Sequence, residues 1–243
     1  MSATARHQSP VLGTPAEHEH LPALVRSYLA RSLPAGGQVP ATVRVQQTGE
    51  MRQRPGGRLM PFRATEDFSI DRVAFSWRAR FPIAGPLAVT VVDEFADGQG
   101  RLCVSLFGIP LKTMKGPEAD VGEAMRYLSE LAWAPQAMAE NRELVWREVD
   151  ERTVEVACVH GATAVVELEF DAAGDIVRAN GTRPFAVGKT FVSTPWGADV
   201  SDYASFNGTR IPTNGHAWWE LPEGRFSYWR GHINALELVE QEA

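Results

Sequence analysis

The chain has 243 residues, of which 44% are hydrophobic, and its formal net charge is −6. This length suits one large domain or two small ones, and the apolar content is sufficient for a sizeable core. The negative charge and the absence of a long basic run argue against nucleic acid as a partner.

The sequence lacks the patterns of secreted, membrane-spanning and metal-bound proteins. Cys103 and Cys158 are far apart and form no CxxC motif, so we expect neither a disulfide framework nor a structural zinc site. No stretch approaches the ~20 apolar residues of a membrane span, and residues 1–20 lack the apolar core of a signal peptide. His18-Glu19-His20 has no further ligand nearby and is predicted to open a helix. We therefore expect a cytoplasmic protein without metal or stable membrane insertion.

The first half of the chain is predicted to contain one helix and five strands. Residues 1–15 are predicted to be a flexible tail, and residues 16–243 a single β-rich domain with a ligand cavity. Apolar residues recur at helical spacing from Leu21 to Leu33. The alternating pattern then predicts strands at residues 42–52, 59–68, 73–81, 87–95 and 101–106, with a loop at residues 108–116.

A long helix is predicted in the middle of the chain, roughly from Asp120 to Asn141. Its apolar stripe consists of Val121, Met125, Leu128 and Ala132. A neighbouring stripe contains Arg126, Glu130 and Trp133. Pro135 is expected to kink or end the first part of this helix.

The second half of the chain is predicted to be an antiparallel meander. Strands are predicted at residues 144–149, 153–160, 162–170, 175–182, 203–210, 216–221 and 225–238, with a loop at residues 183–199. So many strands curl to protect their edges. The fold class is therefore predicted as α+β, mostly β: a curved antiparallel sheet that forms a barrel or half-barrel around a central helix, with an apolar cavity.

Several spaced motifs between about residues 40 and 235 point to a known family. They are Pro61-Phe62-Arg63-Ala64, Phe75-Ser76-Trp77, Asp93 with Gly98-Gln99-Gly100, Arg126-Tyr127-Leu128-Ser129-Glu130 with Pro135, Trp146, Phe170 with Gly174 and Arg183, Pro195-Trp196, Tyr203, Gly208-Thr209-Arg210-Ile211-Pro212 and Trp218-Trp219. Together they resemble a bacterial family of unknown function, which implies no activity. The plan of strands and helix is similar to the half-barrel of bacterial lipoprotein carriers, which bind acyl chains under a helical lid; this is an analogy of fold.

The charged candidates for a site lie on the middle helix and on two strands. The signatures HExxH, GxSxG, the Walker loop and GxGxxG after a strand are absent, so we expect a cofactor-free protein. Arg126 and Glu130 could face a cavity, where burial would tune the carboxyl for acid or base work, or could tie the helix to the sheet. Asp93 shares a strand face with apolar residues, and Arg183 could pair with it or with Glu130.

The aromatic candidates each have a structural alternative. Tyr127 and Tyr203 could donate a hydrogen bond to a substrate, or close loops through their hydroxyl groups. The residues that could line a substrate pocket, or simply form core, are Phe75, Trp77, Met125, Trp133, Trp146, Tyr203 and Trp218. A nucleophilic pair of Cys103 and His160 lacks an orienting third group, which favours an inert thiol.

Two classes of function fit these residues. The first is a cofactor-independent cyclase or isomerase acting on a hydrophobic small molecule, such as a polyketide-like intermediate of secondary metabolite biosynthesis. Its catalytic residues would be Glu130, Arg126, Tyr127, Arg183 and Asp93. The alternative is a non-catalytic binder or carrier of a lipid or other apolar ligand, and a third possibility is a structural domain without a ligand. A catalyst should place a carboxyl or a tyrosine hydroxyl inside the cavity, whereas the cavity of a carrier should be almost wholly apolar.

Overall fold

The computed structural model describes residues 18–34, 36, 39–85, 87–158, 164–188 and 190–240. The predicted tail and His160 lie outside these ranges. The helices are α1 (Ala23–Ser32), α2 (Pro117–Ser129) and α3 (Pro135–Glu140), with a 3-10 turn at Leu131–Trp133. The strands are β1 (Thr42–Met51), β2 (Met60–Ser69), β3 (Phe75–Ala84), β4 (Leu87–Ala96), β5 (Gln99–Leu106), β6 (Ile109–Lys115), β7 (Leu144–Glu148), β8 (Thr153–Cys158), β9 (Val165–Phe170), β10 (Ile176–Val187), β11 (Thr190–Phe206), β12 (Thr209–Leu221) and β13 (Gly224–Val239).

All of these strands belong to one antiparallel sheet, in the order β6-β5-β4-β3-β2-β1-β13-β12-β11-β10-β9-β8-β7. The first and last strands pair in the centre of the sheet, where Val43 lies opposite Leu238. Strands β6 and β7 form its two edges. The sheet curls into a half-barrel with its helices on the concave face, which confirms the predicted fold class.

Connections between strands collect at two ends of the sheet. Because neighbouring strands are antiparallel, the connections β1–β2, β3–β4, β5–β6, β10–β11 and β12–β13 all lie at one end, here called the hairpin end. The connections β2–β3, β4–β5, β7–β8, β9–β10 and β11–β12 lie at the opposite end, here called the turn end. The curved sheet therefore has two ends with different sequences.

The apolar alternation of each strand selects the concave face. In β3, Phe75, Trp77, Ala79 and Phe81 are buried, whereas the residues between them are more exposed. Helix α2 packs on this face against β4, β5, β9 and β10. Close approach is possible at Gly181 of β10, since a Cβ there would lie 2.5 Å from the Met125 methyl carbon. The helix thus covers the part of the concave face nearer to the turn end.

Three boundaries differ from the predictions. The middle helix is interrupted at Glu130, and Pro135 begins α3, because proline is tolerated in the first turn of a helix. The predicted loop at residues 108–116 contains strand β6, whose almost complete exposure leaves no apolar alternation to detect. The predicted loop at residues 183–199 is the β10–β11 hairpin, and β11 continues to Phe206 before β12 begins at Thr209.

Candidate functional site

Arg126 of α2 lies at the centre of a cluster of buried carboxyl groups. Its Nη2 donates to Glu66 Oε1 of β2 at 2.8 Å, and its Nη1 donates to Asp93 Oδ2 of β4 at 2.7 Å. Its Nε donates to Glu130 Oε1 at 3.0 Å, one helical turn away. Glu123 lies beside Asp93 and completes the acid–arginine cluster: Glu66, Asp93, Glu123, Arg126 and Glu130.

The local sequence explains why these residues meet. Glu66 and Asp93 lie on opposite sides of Trp77 in the strand register, so all three side chains share the concave face. Glu123, Arg126 and Glu130 are spaced three and four residues apart on one side of the helix. The strand acids and the helix residues therefore face one another across the packed interface.

Aromatic rings and one amide enclose the guanidinium of Arg126. Its Cζ lies 5.0 Å from the centroid of the Phe75 ring and 4.9 Å from that of Trp77. Gln47 links Glu66 to Trp77: its Nε2 donates to Glu66 Oε2 at 2.6 Å, and its Oε1 accepts from Trp77 Nε1 at 3.0 Å. Glu66 is fully buried. These contacts satisfy both carboxylate oxygens of Glu66 in a site from which water is largely excluded.

Four carboxyl groups around one arginine require shared protons. Burial raises the pKa of Glu66 and of Asp93, and Arg126 opposes both shifts. Burial, reinforced by the neighbouring acid, raises the pKa of Glu123 and of Glu130 further, well above the usual range. The same carboxylates overcome the effect of burial on Arg126 and raise its pKa well above its ordinary value.

The hydrogen-bond geometry supports the same placement of protons. Within the described residues, Asp93 Oδ1, Glu123 Oε2 and Glu130 Oε2 are buried without another hydrogen-bond partner. A proton on Glu123 donated to Asp93, and one on Glu130 donated to Glu66, satisfies these atoms. We therefore place the protons on Glu123 and Glu130, whose pKa values are raised furthest, and the negative charges on Glu66 and Asp93, which contact Arg126.

Arg183 of β10 links the opposite side of the half-barrel to helix α2. Its Nη2 donates to the Gly122 carbonyl oxygen at 2.7 Å. Its Cζ lies 4.7 Å from the centroid of the Trp196 ring and 5.8 Å from that of Trp219. Arg183 forms no ion pair with Glu130 or Asp93 in the described structure, although its charge acts on Asp93 and Glu123 from a distance. Arg126 and Arg183 thus anchor α2 to opposite walls.

Both predicted tyrosines use their hydroxyl groups within the fold. Tyr127 Oη donates to the Ser69 carbonyl oxygen at 2.9 Å and accepts from Asn141 Nδ2 at 3.0 Å. Tyr203 Oη donates to the Ile176 carbonyl oxygen at 2.8 Å. Burial raises the pKa of both phenols. The structure places these hydroxyl groups in structural hydrogen bonds between elements.

The predicted pocket-lining aromatics are spread over different surroundings. Phe75, Trp77, Met125 and Trp133 are buried in the main core. Trp146 of β7 is half-buried. Trp218 packs over Gly197 and donates from Nε1 to Asp199 at 3.2 Å, and the Arg225 Cζ lies 3.7 Å from its ring centroid. Trp218 therefore lies on the convex face, away from the other predicted residues.

Beneath α2, where the sequence predicts an apolar cavity, the described side chains pack into the main core, including Met125 and Leu128. The apolar part of the concave face that remains accessible lies between α2 and the hairpin end. We call this the uncovered apolar face; its half-buried residues are Val89, Val91, Val104, Leu106 and Phe185. A separate cavity of about 600 Å³ opens on the convex face, and its lining includes Glu50, Asp199, His216 and His232. Its mixed lining does not fit the predicted apolar ligand.

The sequence missed two members of the acid–arginine cluster. Glu66 follows Phe62 and Ala64 on one buried strand face, and this acid among apolar residues was a detectable signal. Glu123 gave the weaker signal of a helix position three residues before Arg126. The described residues contain no group of histidine, cysteine and acidic side chains that could hold a metal ion. His18 Nε2 lies 3.8 Å from Glu140 Oε1.

Comparisons with known proteins support the fold. A family model described as a family of unknown function matches residues 12–231. A domain from Vibrio parahaemolyticus, described as an outer membrane lipoprotein-sorting protein, has a TM-score of 0.50 at 9% identity, over 90% of this chain and 92% of that one. A DUF1329 family protein from Desulfovibrio piger has a TM-score of 0.50 at 12% identity, over 97% and 96%. A LolA superfamily protein from Nitrosomonas europaea has a TM-score of 0.49 at 10% identity, over 90% and 94%.

The two likenesses with a TM-score of 0.50 confirm the predicted half-barrel plan. No curated protein matches the chain. Among the described helices, none combines the length and the apolar character that crossing a membrane requires.

Proposed function

The chain belongs to this family, DUF6544, and we propose that it binds an apolar ligand on the uncovered apolar face and carries it without catalysis. The observation that carries this proposal is the incomplete cover on the concave side of the half-barrel. Helix α2 seals the region near the turn end, while Val91 and Val104 on one wall and Phe185 on the other stay partly exposed.

A concave apolar surface favours a ligand over a purely structural role. Adjacent apolar residues on β4 and β5 that remain half-exposed lose much of the free energy that burial would give them, roughly 25 cal/mol per Å². Val89 pairs with Leu106, and Val91 pairs with Val104, so these side chains form a continuous patch. An acyl chain or another elongated apolar molecule would cover it, as is typical of apolar sites between curved walls.

The placement of charges supports a carrier over an enzyme. The carboxyl groups of the acid–arginine cluster contact one another and Arg126, and both predicted tyrosine hydroxyl groups donate to backbone carbonyl oxygens. A catalyst needs such a group within reach of the reacting atoms. The cyclase or isomerase stays a prediction, in which Glu130 would act as the acid or base. Cytoplasmic localisation also stays a prediction.

Two adjacent residues of one strand test ligand binding. Val91 lies on the concave face opposite Val104, whereas Val92 lies on the other face, and both are half-buried. We expect the fluorescence of cis-parinaric acid, an apolar probe, to report binding to the wild-type protein. Val91→Asn should weaken this binding by about tenfold, since it replaces an isopropyl group that the ligand would cover by an amide. Val92→Asn is the matched control and should leave binding unchanged.

The proposal fails if the wild-type protein binds no probe, or if both asparagine variants weaken binding equally while remaining folded by circular dichroism. Mass spectrometry of the purified protein is an independent measurement, in which a copurified apolar molecule would support the proposal. Turnover of such a molecule that Glu130→Gln abolishes, with affinity unchanged, would establish the enzyme instead.

A further inference from the structure

Large apolar side chains are exposed at the tips of three hairpins. They belong to the connections β3–β4, β5–β6 and β10–β11, which all lie at the hairpin end. We call these residues the apolar tips; they are Ile83, Phe107, Ile109, Leu111 and Val187, and each is more than half exposed. Exposed apolar residues grouped at one end of a molecule mark an interaction surface more often than scattered ones do.

The geometry of the β5–β6 turn does not favour the phenylalanine, Phe107, that occupies it. Phe107 has a φ of 52° and is followed by Gly108, in a two-residue hairpin. Bulky side chains are disfavoured at positive φ, and Asn-Gly or Asp-Gly is the preferred pair. The chain uses those pairs at the turn end, in Asp97-Gly98 and Asn207-Gly208. Phe107 is 75% exposed, so neither backbone geometry nor packing favours phenylalanine at this position.

The hairpin end is basic although the whole chain is acidic. Residues 52–63, 80–92, 103–113 and 184–195 contain seven Lys and Arg and no Asp or Glu, whereas the chain has 30 acidic residues and a net charge of −6. Arg80 and Lys112 are exposed and neighbour the apolar tips in sequence. The fifth hairpin carries two acids: Glu220, whose carboxylate is paired with Arg225, and the exposed Glu223 in its turn. Apolar residues within a basic surface complement an anionic lipid interface.

We propose that the hairpin end docks on an anionic lipid membrane, with the apolar tips inserted among the acyl chains and the basic residues at the lipid phosphates. Phe107 is the principal anchor, because it is the largest and most exposed of the tips. This surface is distinct from the uncovered apolar face, so docking does not depend on the proposed function. The uncovered apolar face adjoins the hairpin end, so docking would bring this face close to the membrane.

The test uses flotation of the full chain with vesicles of phosphatidylcholine mixed with anionic phosphatidylglycerol. Phe107→Asn supplies the residue type that the turn prefers, so the variant is expected to remain folded with an unchanged or higher Tm. It should lower the partition coefficient by about tenfold, from the lost insertion of one aromatic ring. Val149→Asn is the matched control, since Val149 is an exposed apolar residue near the turn end, and it should not change partitioning.

The electrostatic part has its own variant. Lys112→Gln should weaken binding to the anionic vesicles by about fivefold, in keeping with about 1 kcal/mol for a basic residue near such a surface, and should leave binding to pure phosphatidylcholine vesicles unchanged. Added salt should reduce the difference between the two kinds of vesicle.

Three results would overturn the proposal: no flotation of the wild-type protein, equal flotation of wild type and Phe107→Asn, or a dimer in light scattering that Phe107→Asn dissolves while vesicles bind neither protein. The last result would assign the tips to contact between two copies of the chain. Failure of probe binding in solution, with flotation intact, would reject the proposed function and leave docking supported.

Discussion

Replacing Arg126 by methionine tests whether the acid–arginine cluster holds the helix on the sheet. Methionine keeps most of the packing of the arginine stem and removes three charged contacts, at 2.7, 2.8 and 3.0 Å. Glu66, which is fully buried, and Asp93, which is 6% exposed, then lack a cation. Breaking a buried ion pair from one side costs about 3–5 kcal/mol. We therefore expect the variant to lose about 4 kcal/mol at pH 7, a large part of a typical stability of about 5–15 kcal/mol.

The pH dependence of that loss identifies its cause. Without Arg126, the pKa values of Glu66 and Asp93 in the folded variant rise further above their unfolded values. The folded variant then binds protons that the unfolded chain has released, so its stability falls as pH rises, by about 1.4 kcal/mol per pH unit for each carboxyl. The difference from wild type should therefore shrink between pH 7 and about pH 5.

Urea denaturation followed by tryptophan fluorescence measures both effects. Arg178→Met is the matched control: Arg178 also contacts two carboxylates, Asp199 at 2.6 Å and Glu169 at 3.6 Å, but its side chain is 40% exposed. Exposed pairs contribute about 0–1 kcal/mol, so this variant should lose less than about 1 kcal/mol. An equal loss in the two variants, or a loss in Arg126→Met that does not change with pH, would refute the reasoning.

Two further predictions concern the proton on Glu130 and the packing around two glycines. Glu130→Gln should change stability at pH 7 by less than about 1 kcal/mol, because an amide imitates a protonated carboxyl, whereas Glu66→Gln should cost about 2–3 kcal/mol by removing a charged acceptor. The raised pKa of Glu130 gives stability that is complete below its unfolded pKa and is lost as pH rises through its folded pKa. Glu130→Gln should therefore also flatten the fall in urea stability as pH rises above the usual carboxyl range. An unchanged slope would count against a proton on Glu130. Gly49→Ala should lower the Tm, at a cost of about 2–3 kcal/mol, because the added Cβ would lie 2.3 Å from a backbone oxygen. Gly122→Ala should raise the Tm, because the nearest atom to its added Cβ lies at 3.5 Å and alanine favours the helix. Similar melting of the two variants would contradict this packing.

The sequence predicted the fold well wherever one strand face was buried. The alternation in β3 was readable because Trp77 and Phe81 face the core while Arg78 and Arg80 face solvent. Strand β6 was missed because an edge strand exposed on both faces has no such alternation, and its pairing with β5 depends on backbone hydrogen bonds that any sequence can form.

The candidate site was predicted in part. Arg126, Glu130 and Asp93 do meet, but a sequence cannot show which of several acids will lie opposite a given arginine, because that depends on the register between strands and helix. The same limit explains Trp218. Trp218 pairs with Gly197 and alternates with Trp219 along β12, so it lies on the convex face, and the sequence does not show which of these two adjacent tryptophans faces the core.

The pairing of β1 with β13 in the centre of the sheet has a consequence for synthesis on the ribosome. Translation delivers β1 first and β13 after all the other described strands, so the first half of the sheet emerges with one side of β1 unpaired. Strand β13, which pairs with the open side of β1, cannot be added until strands β7 to β12 have been synthesised. Nascent chains should therefore expose a strand edge for most of their elongation, and this interval is when chaperones would need to shield them from aggregation.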